Sequence, residues 1–288
     1  MVKNISEILD TKKLYLDKNG IWVCKKNKYS YDTDTKDAWE KIYNYNLDEL
    51  KKSLKVFNES KMNDLVKYIK NSYNFTDQTI YLEIGCGPSY LGNYLIKNYD
   101  IYFVGIDFNY KILLSLKNYF DINGYKKYIL ICDDINNMPI KNNCIDYIYG
   151  GGVIEHFPDT GHILKHSFRV LKEGGVSFNT IPAFNISWIL RFYRNIPNLK
   201  FLKEIFEYIH ITILKNKILR NCFGYELSFT RKDLVNLHKN AKFNDINVGN
   251  FVFHANKSSS LKNFINNFLY ILMKINFLSP IYYVEAKK

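Results

Sequence analysis

A short apolar run that breaks into a two-glycine turn and then into a helix-forming stretch sets most of what this chain can become. The run is Tyr81-Leu-Glu-Ile-Gly-Cys-Gly-Pro-Ser89, and Tyr90 to Tyr99 follows it with helical potential. Strand, Gly-X-Gly turn and helix in that order bring backbone N–H groups close to a ligand, because a turn without side chains admits it. About twenty residues on, at the spacing where dinucleotide folds hold a ribose diol, a second strand, Ile101 to Ile106, ends in Asp107. Glu83, ahead of the glycines, changes the expected ligand. It would repel a pyrophosphate and accommodate a cationic amino-acid group.

The pattern continues along the chain. Tyr128 to Cys132 reads as a third strand, followed by Asp134-Ile-Asn-Asn-Met-Pro-Ile140. Asp146-Tyr-Ile-Tyr149 reads as a fourth, followed by Gly150-Gly-Gly-Val-Ile-Glu-His156. Arg169-Val-Leu-Lys-Glu-Gly-Gly175 precedes a fifth, Val176 to Ile181. These five ordered segments, over roughly residues 78 to 182, resemble class I S-adenosylmethionine (SAM) dependent methyltransferases of the type 11-like group. Ser89 is the departure, standing where many members have a third glycine. The resemblance implies SAM as cofactor and gives each position a role. Gly85, Cys86 and Gly87 let the backbone approach the amino-acid part, and Glu83 balances its ammonium. Asp107 takes the ribose hydroxyls. Phe108 and Ile135 flank the adenine, and Asp134 accepts its amino hydrogen. Gly150 and Gly151 offer carbonyls to the ammonium end. His156, just past the fourth strand, is the candidate catalytic base, since an ordinary imidazole titrates near neutrality, with ordering of the loop as its other reading.

The resemblance also sets the expected architecture: α/β, a Rossmann-like seven-stranded, mostly parallel sheet with helices on both faces and an antiparallel last strand. An N-terminal extension and a helical insertion are added to it. Residues 1–77 form the N-terminal region and residues 78–288 the methyltransferase domain, with 183–223 as an acceptor-site insertion. Asp17-Lys-Asn-Gly20 predicts a hairpin between Lys13–Leu16 and Ile21–Lys25, because Asn-Gly favours positive φ in the turn. Helices are expected over Asp34–Tyr43 and Leu47–Asn71, and Trp39, Tyr43 and Tyr45 suit a lid or core packing. Toward the C-terminus, Thr230 reads as the N-cap of a helix. Phe243–Phe253 reads as a strand, Phe264–Phe277 as a helix, and Ile281–Lys287 as the last strand.

With 288 residues, 47% of them hydrophobic, the chain can hold one α/β domain with additions. Cys24, Cys86, Cys132, Cys144 and Cys222 are odd in number and contain no Cys-x-x-Cys spacing, which points to a reducing compartment. Met1-Val-Lys-Asn-Ile-Ser-Glu7 lacks the apolar core of a signal peptide, so a cytoplasmic location is expected. The net charge of +12 is spread along the chain without a Lys/Arg block. Nucleic acid is therefore not the favoured partner, although an RNA methyltransferase is the second reading and a non-catalytic SAM-binding protein the third. The insertion is apolar and aromatic with interspersed Arg and Lys. It favours a small-molecule, lipid-like or glycan-linked acceptor, methylated on oxygen or nitrogen, and allows peripheral membrane contact through residues 186–214. No charge-free apolar run is long enough to span a bilayer. Glu155-His156 resembles part of a Glu-x-x-Glu-His metal motif, but Gly152 stands where the first glutamate would be. No metal is expected from two ligands.

Overall fold

The computed structural model describes residues 5–25, 33–191, 195–213, 224–252, 274–275 and 278–288. The expected helix over Phe264–Phe277 therefore lies almost wholly outside the described residues, as do Cys222, Leu214 and His254.

The first strand of the nucleotide motif is β3 (Ile80–Ile84), and every one of its residues is buried. Ile80, Leu82 and Ile84 enter the hydrophobic cluster on one side of the sheet, and Tyr81 enters the cluster on the other. β4 (Tyr102–Asp107) repeats the alternation, with Tyr102, Val104 and Ile106 on the first side and Phe103 on the second. Strands buried on both faces read as continuous apolar runs, and helices must cover them. α5 (Tyr90–Tyr99) and α6 (Tyr110–Ile122) connect β3, β4 and β5 (Tyr128–Cys132), which pair in parallel. β6 (Ile145–Gly151) pairs with β3 on its other side, and β7 (Leu171–Pro182) with β6, again in parallel. α7 (Thr160–Val170) links those two. β11 (Ile281–Lys287) runs antiparallel beside β7, and β10 (Asn244–Asn250) antiparallel beside β11.

These seven strands are the expected sheet, and two more extend it. β1 (Leu14–Leu16) and β2 (Trp22–Cys24) form the predicted hairpin, and β2 pairs in parallel with β5 through Trp22↔Ile131 and Val23↔Cys132. The order is β1-β2-β5-β4-β3-β6-β7-β11-β10. The hairpin turn is anchored to α6. Tyr110 Oη donates to Asp17 Oδ2, Asn19 Nδ2 donates to Tyr110 Oη at 2.7 Å, and Asp17 Oδ1 accepts from Ile21 N at 2.8 Å.

Several motif residues prove to be fasteners. Asp146 accepts from the Ile80 N–H at 2.7 Å and from Lys172 Nζ at 2.5 Å, joining the starts of β3, β6 and β7. Arg169 donates to the carbonyls of Ile140 and Met138 at 2.6 and 2.9 Å and so holds the chain between β5 and β6.

Before β3 lie α1 (Ile5–Ile8), α2 (Thr33–Ile42), α3 (Leu47–Ser60) and α4 (Met62–Ser72). The single helix expected over Leu47–Asn71 is broken at Lys61, whose φ of −130° is not helical. The insertion holds a 3-10 turn (Ile186–Arg191), β8 (Ile196–Pro197), α8 (Lys200–Tyr208) and a π-helical turn (Ile209–Ile213). β8 pairs in parallel with β9 (Leu227–Ser228). α9 (Arg231–Asn240) follows, and its expected Thr230 N-cap is a reciprocal capping box with Asp233. Among the described residues, no helix is long and apolar enough to cross a membrane.

Candidate functional site

The carboxyl ends of β3, β4, β5 and β6 meet, where an open α/β sheet binds its ligand. Gly85 and Gly87 leave β3 with φ of 56° and 45°, a region that costs glycine no Cβ strain. The Cys86 N–H donates to the Ile106 carbonyl at 3.0 Å and lashes the turn to β4. Tyr43, just past α2, lies on this turn, and a Cβ at Gly87 would stand 3.2 Å from its ring.

Asp107 ends β4 with 6% exposure. One oxygen accepts from the Gly87 N–H at 2.8 Å and the other from the Asn109 N–H at 2.8 Å. Each carboxylate oxygen has a second lone pair left for a ligand hydroxyl. Burial raises the Asp107 carboxyl to about 6. Glu83, 5% exposed, turns one oxygen to Ser89 Oγ at 2.8 Å and to the Gly92 N–H at 3.1 Å. Burial lifts it to about 7. Ser89 itself takes the left-handed conformation, with φ of 50°. The residue that departs from the glycine pattern thus adopts the glycine-type backbone and bonds to Glu83.

A cavity of about 630 Å³, counting its open mouth, lies over these strand ends. Gly85, Asp107, Phe108, Ile135, Gly151 and His156 line it, together with Thr35, Trp39 and Tyr43 from the α2 region and Asn109, Gly152, Val153 and Phe157. Glu83, Cys86, Gly85 and Gly151 border an adjoining hollow that also reaches Tyr43, Tyr149 and Thr180. The arrangement fits SAM: a glycine-marked turn, a two-oxygen acceptor at the β4 end, apolar walls at Phe108 and Ile135, and nearby buried carboxylates for a cation.

Three positions depart from their sequence-based roles. Asp134 is 1% exposed and lines neither hollow, and its Oδ1 accepts from the Asn136 N–H at 2.9 Å. It orders the turn after β5 through this bond. Gly150 is covered by Asn179, whose Oδ1 would lie 2.5 Å from a Cβ there, so Gly151 and Gly152 form the edge instead. Gly87 acts through its N–H on Asp107 and lines neither hollow.

His156 does reach the cavity, and its ring meets Trp39 edge-on at 5.1 Å. It sits in a one-turn 3-10 segment, Ile154–His156. Its Nδ1 lies 2.6 Å from the Tyr225 carbonyl, so Nδ1 carries the proton and donates it. Burial pulls the imidazole down to about 4. The expectation of a base tuned to neutrality is corrected: this ring is neutral at pH 7 and a weak proton acceptor. Glu155, 2% exposed, is raised well above the carboxylate range, first by burial and next by Glu226 nearby. Thr35, Val153, Phe157 and Glu226 were not singled out from the sequence. Glu226 lies in a different segment from Glu155, and only the fold brings it close.

Residues 82–178 match the family model described as a methyltransferase domain. Sterol 24-C-methyltransferase erg6 of Schizosaccharomyces pombe is 30% identical over 96 residues, 33% of this chain and 25% of that protein. Demethylmenaquinone methyltransferase of Bacillus cereus is 30% identical over 100 residues, 33% of this chain and 42% of that one. The chain thus spans less than half the length of these curated relatives. Among solved structures, a Haemonchus contortus phosphoethanolamine N-methyltransferase 2 bound to phosphomonomethylethanolamine and S-adenosylhomocysteine superposes with a TM-score of 0.54 at 15% identity. That match covers 80% of this chain and 53% of that one and speaks to the fold.

Proposed function

We propose that this chain, as a class I SAM-dependent methyltransferase, transfers a methyl group to an oxygen or nitrogen of a small or lipid-like acceptor. One observation carries the reading. A single cavity joins the Gly85 turn and Asp107 on one side to an aromatic cover of Trp39, Tyr43 and Phe157 on the other.

SAM, when bound, supplies a methyl group already activated by its sulfonium. The work left to the chain is alignment, exclusion of water and handling of a proton. With SAM bound, Gly85 and Gly151 would allow close approach at its amino-acid end and Asp107 would hold its ribose hydroxyls, while Val153 and His156 line the same cavity. Thr35, Trp39 and Tyr43 reach over from the α2 region and limit water, which strengthens every polar contact inside. Holding two reactants in line can supply several kcal/mol. His156, neutral and oriented by the Tyr225 carbonyl, serves to position an acceptor more than to deprotonate it.

The apolar acceptor is supported by the insertion. α8 is tied to the cavity wall: Lys203 Nζ donates to the Pro158 carbonyl at 3.2 Å, and Tyr225 Oη donates to Glu207 at 2.5 Å. Its outer face leaves Phe201, Ile205 and Tyr208 exposed, one above another at helical spacing, with Ile186, Ile189 and Ile213 exposed elsewhere in the insertion. Such a face suits an acceptor drawn from a lipid surface, and peripheral attachment to a membrane's inner face belongs to this proposal. The two curated relatives are named for a sterol and a demethylmenaquinone, which points the same way.

The test is transfer of labelled methyl from SAM into host extract, separated into lipid, polar small-molecule and RNA fractions. Label in the lipid or small-molecule pool, lost with Asp107→Ala, is the expected result. Label confined to RNA would replace this acceptor class with the RNA reading.

A further inference from the structure

Beside the cavity, three side chains from two distant segments converge. Glu155, His156 and Glu226 each bring a donor atom to within 4.8 Å of the others. Glu226 is the third ligand that spacing along the chain could not supply. Glu155 is 2% exposed and its Oε2 has no hydrogen-bond partner. Among the described residues, no lysine or arginine forms an ion pair with it. A buried carboxylate oxygen left without a donor, facing a second carboxylate, requires a proton or a cation between them. The histidine favours the cation. Its Nδ1–H is committed to the Tyr225 carbonyl, the outer contact that metal-bound imidazoles use to fix their tautomer. Nε2 is left with its lone pair.

We propose that Glu155, His156 and Glu226 form a divalent metal site against the acceptor side of the cavity. One nitrogen and two carboxylates suit a borderline ion such as Mn²⁺ or Zn²⁺ better than Ca²⁺. Donors that share an ion at about 2.0–2.2 Å stand roughly 3–3.5 Å apart, so modest side-chain rotation closes the site. Three protein donors leave coordination positions open, as in catalytic sites. Because His156 lines the cavity, an open position suits the oxygen of a hydroxyl or enol acceptor and eases loss of its proton. That use of the ion rests on the methyl-transfer reading. Binding of the ion does not.

The experiment strips the full chain of metal with a chelator and titrates it with Mn²⁺, followed by electron paramagnetic resonance. SAM affinity is measured on the same samples. The native chain should bind one Mn²⁺. Glu226→Gln, a change at a half-buried position, should weaken binding at least about tenfold with SAM affinity intact. Glu155→Gln should do the same. Absence of Mn²⁺ binding up to millimolar concentration, or binding by both variants equal to that of the native chain, would overturn the site and assign the pair a shared proton. Loss of SAM binding with Mn²⁺ binding retained would count against the methyl-transfer reading instead.

Discussion

Glu83 illustrates how a single residue acts here through its neighbours. One oxygen receives both the Ser89 hydroxyl and the Gly92 N–H, so it closes the turn that the cofactor must meet. The acidic position was legible in the sequence, because a carboxylate ahead of Gly-X-Gly is a recognisable pattern. Its bond to Ser89 was not, since it depends on a serine in a left-handed backbone conformation. The titration follows from burial. With its carboxyl raised from 4.5 to about 7, the folded chain holds a proton that the unfolded chain has already lost between those values. The stability linked to Glu83 is therefore fully present below 4.5 and gone above about 7. Glu83→Gln keeps an oxygen for both bonds and never ionises. Its stability relative to the native chain should rise by about 3 kcal/mol between pH 5 and pH 8, since each tenfold gain in proton affinity on folding corresponds to about 1.4 kcal/mol. Buried histidines such as His156 and His238, both lowered to about 4, titrate in both proteins and cancel in the difference. Thermal melting of the pair across this range checks it, and a flat difference would mean that Glu83 is ordinary.

At the level of elements, local signals identified segments better than their partners. Asn19-Gly20 announced the hairpin, and its three-residue strands paired, although only Gly20 and not Asn19 takes a positive φ in the five-residue loop between them. Their docking beside β5 could not be read, because strands so short carry little register information. The break at Lys61 was missed for a related reason. No proline or glycine marks it, and the apolar spacing runs on from Leu54 to Met62 and Leu65. The buried residues on both sides of the break belong to one cluster, so packing against the domain turns the chain there. Tyr110 gives a direct test of the docked hairpin. Removing its hydroxyl in Tyr110→Phe takes a donor from the Asp17 carboxylate, worth about 1.5–3 kcal/mol for a bond to a charged group. Amide hydrogen exchange should speed up over residues 14–24 while β3 stays protected. Unchanged exchange in the hairpin would show that strand pairing alone holds it.

Across the whole molecule, the parallel sheet was the most legible feature and the enclosure of the site the least. Apolar runs with glycine-marked ends located β3 to β7 along the chain, and the family resemblance implied the parallel sheet they form. The cover is built from parts far apart in the chain: Thr35, Trp39 and Tyr43 before the sheet, and Tyr225 and Glu226 after the insertion. Gly224 packs against Thr35, and the Tyr225 N–H donates to Thr35 Oγ1 at 2.9 Å, so the two halves of the cover are joined. Sequence periodicity records which residues are buried and not which distant residue buries them. The cover also bears on the role of the net charge of +12. Under the proposed function, a cavity walled by aromatic and apolar groups would select its acceptor by shape, whereas an RNA substrate would make binding fall steeply with salt. The proposed methyl transfer requires first that SAM be held at Asp107. Calorimetric titration of the native chain with SAM, beside Asp107→Ala, tests this most directly. One SAM per chain is expected, with affinity reduced about 10²-fold in the variant, the equivalent of two hydrogen bonds to a carboxylate. Undiminished SAM binding by a folded Asp107→Ala protein would contradict it.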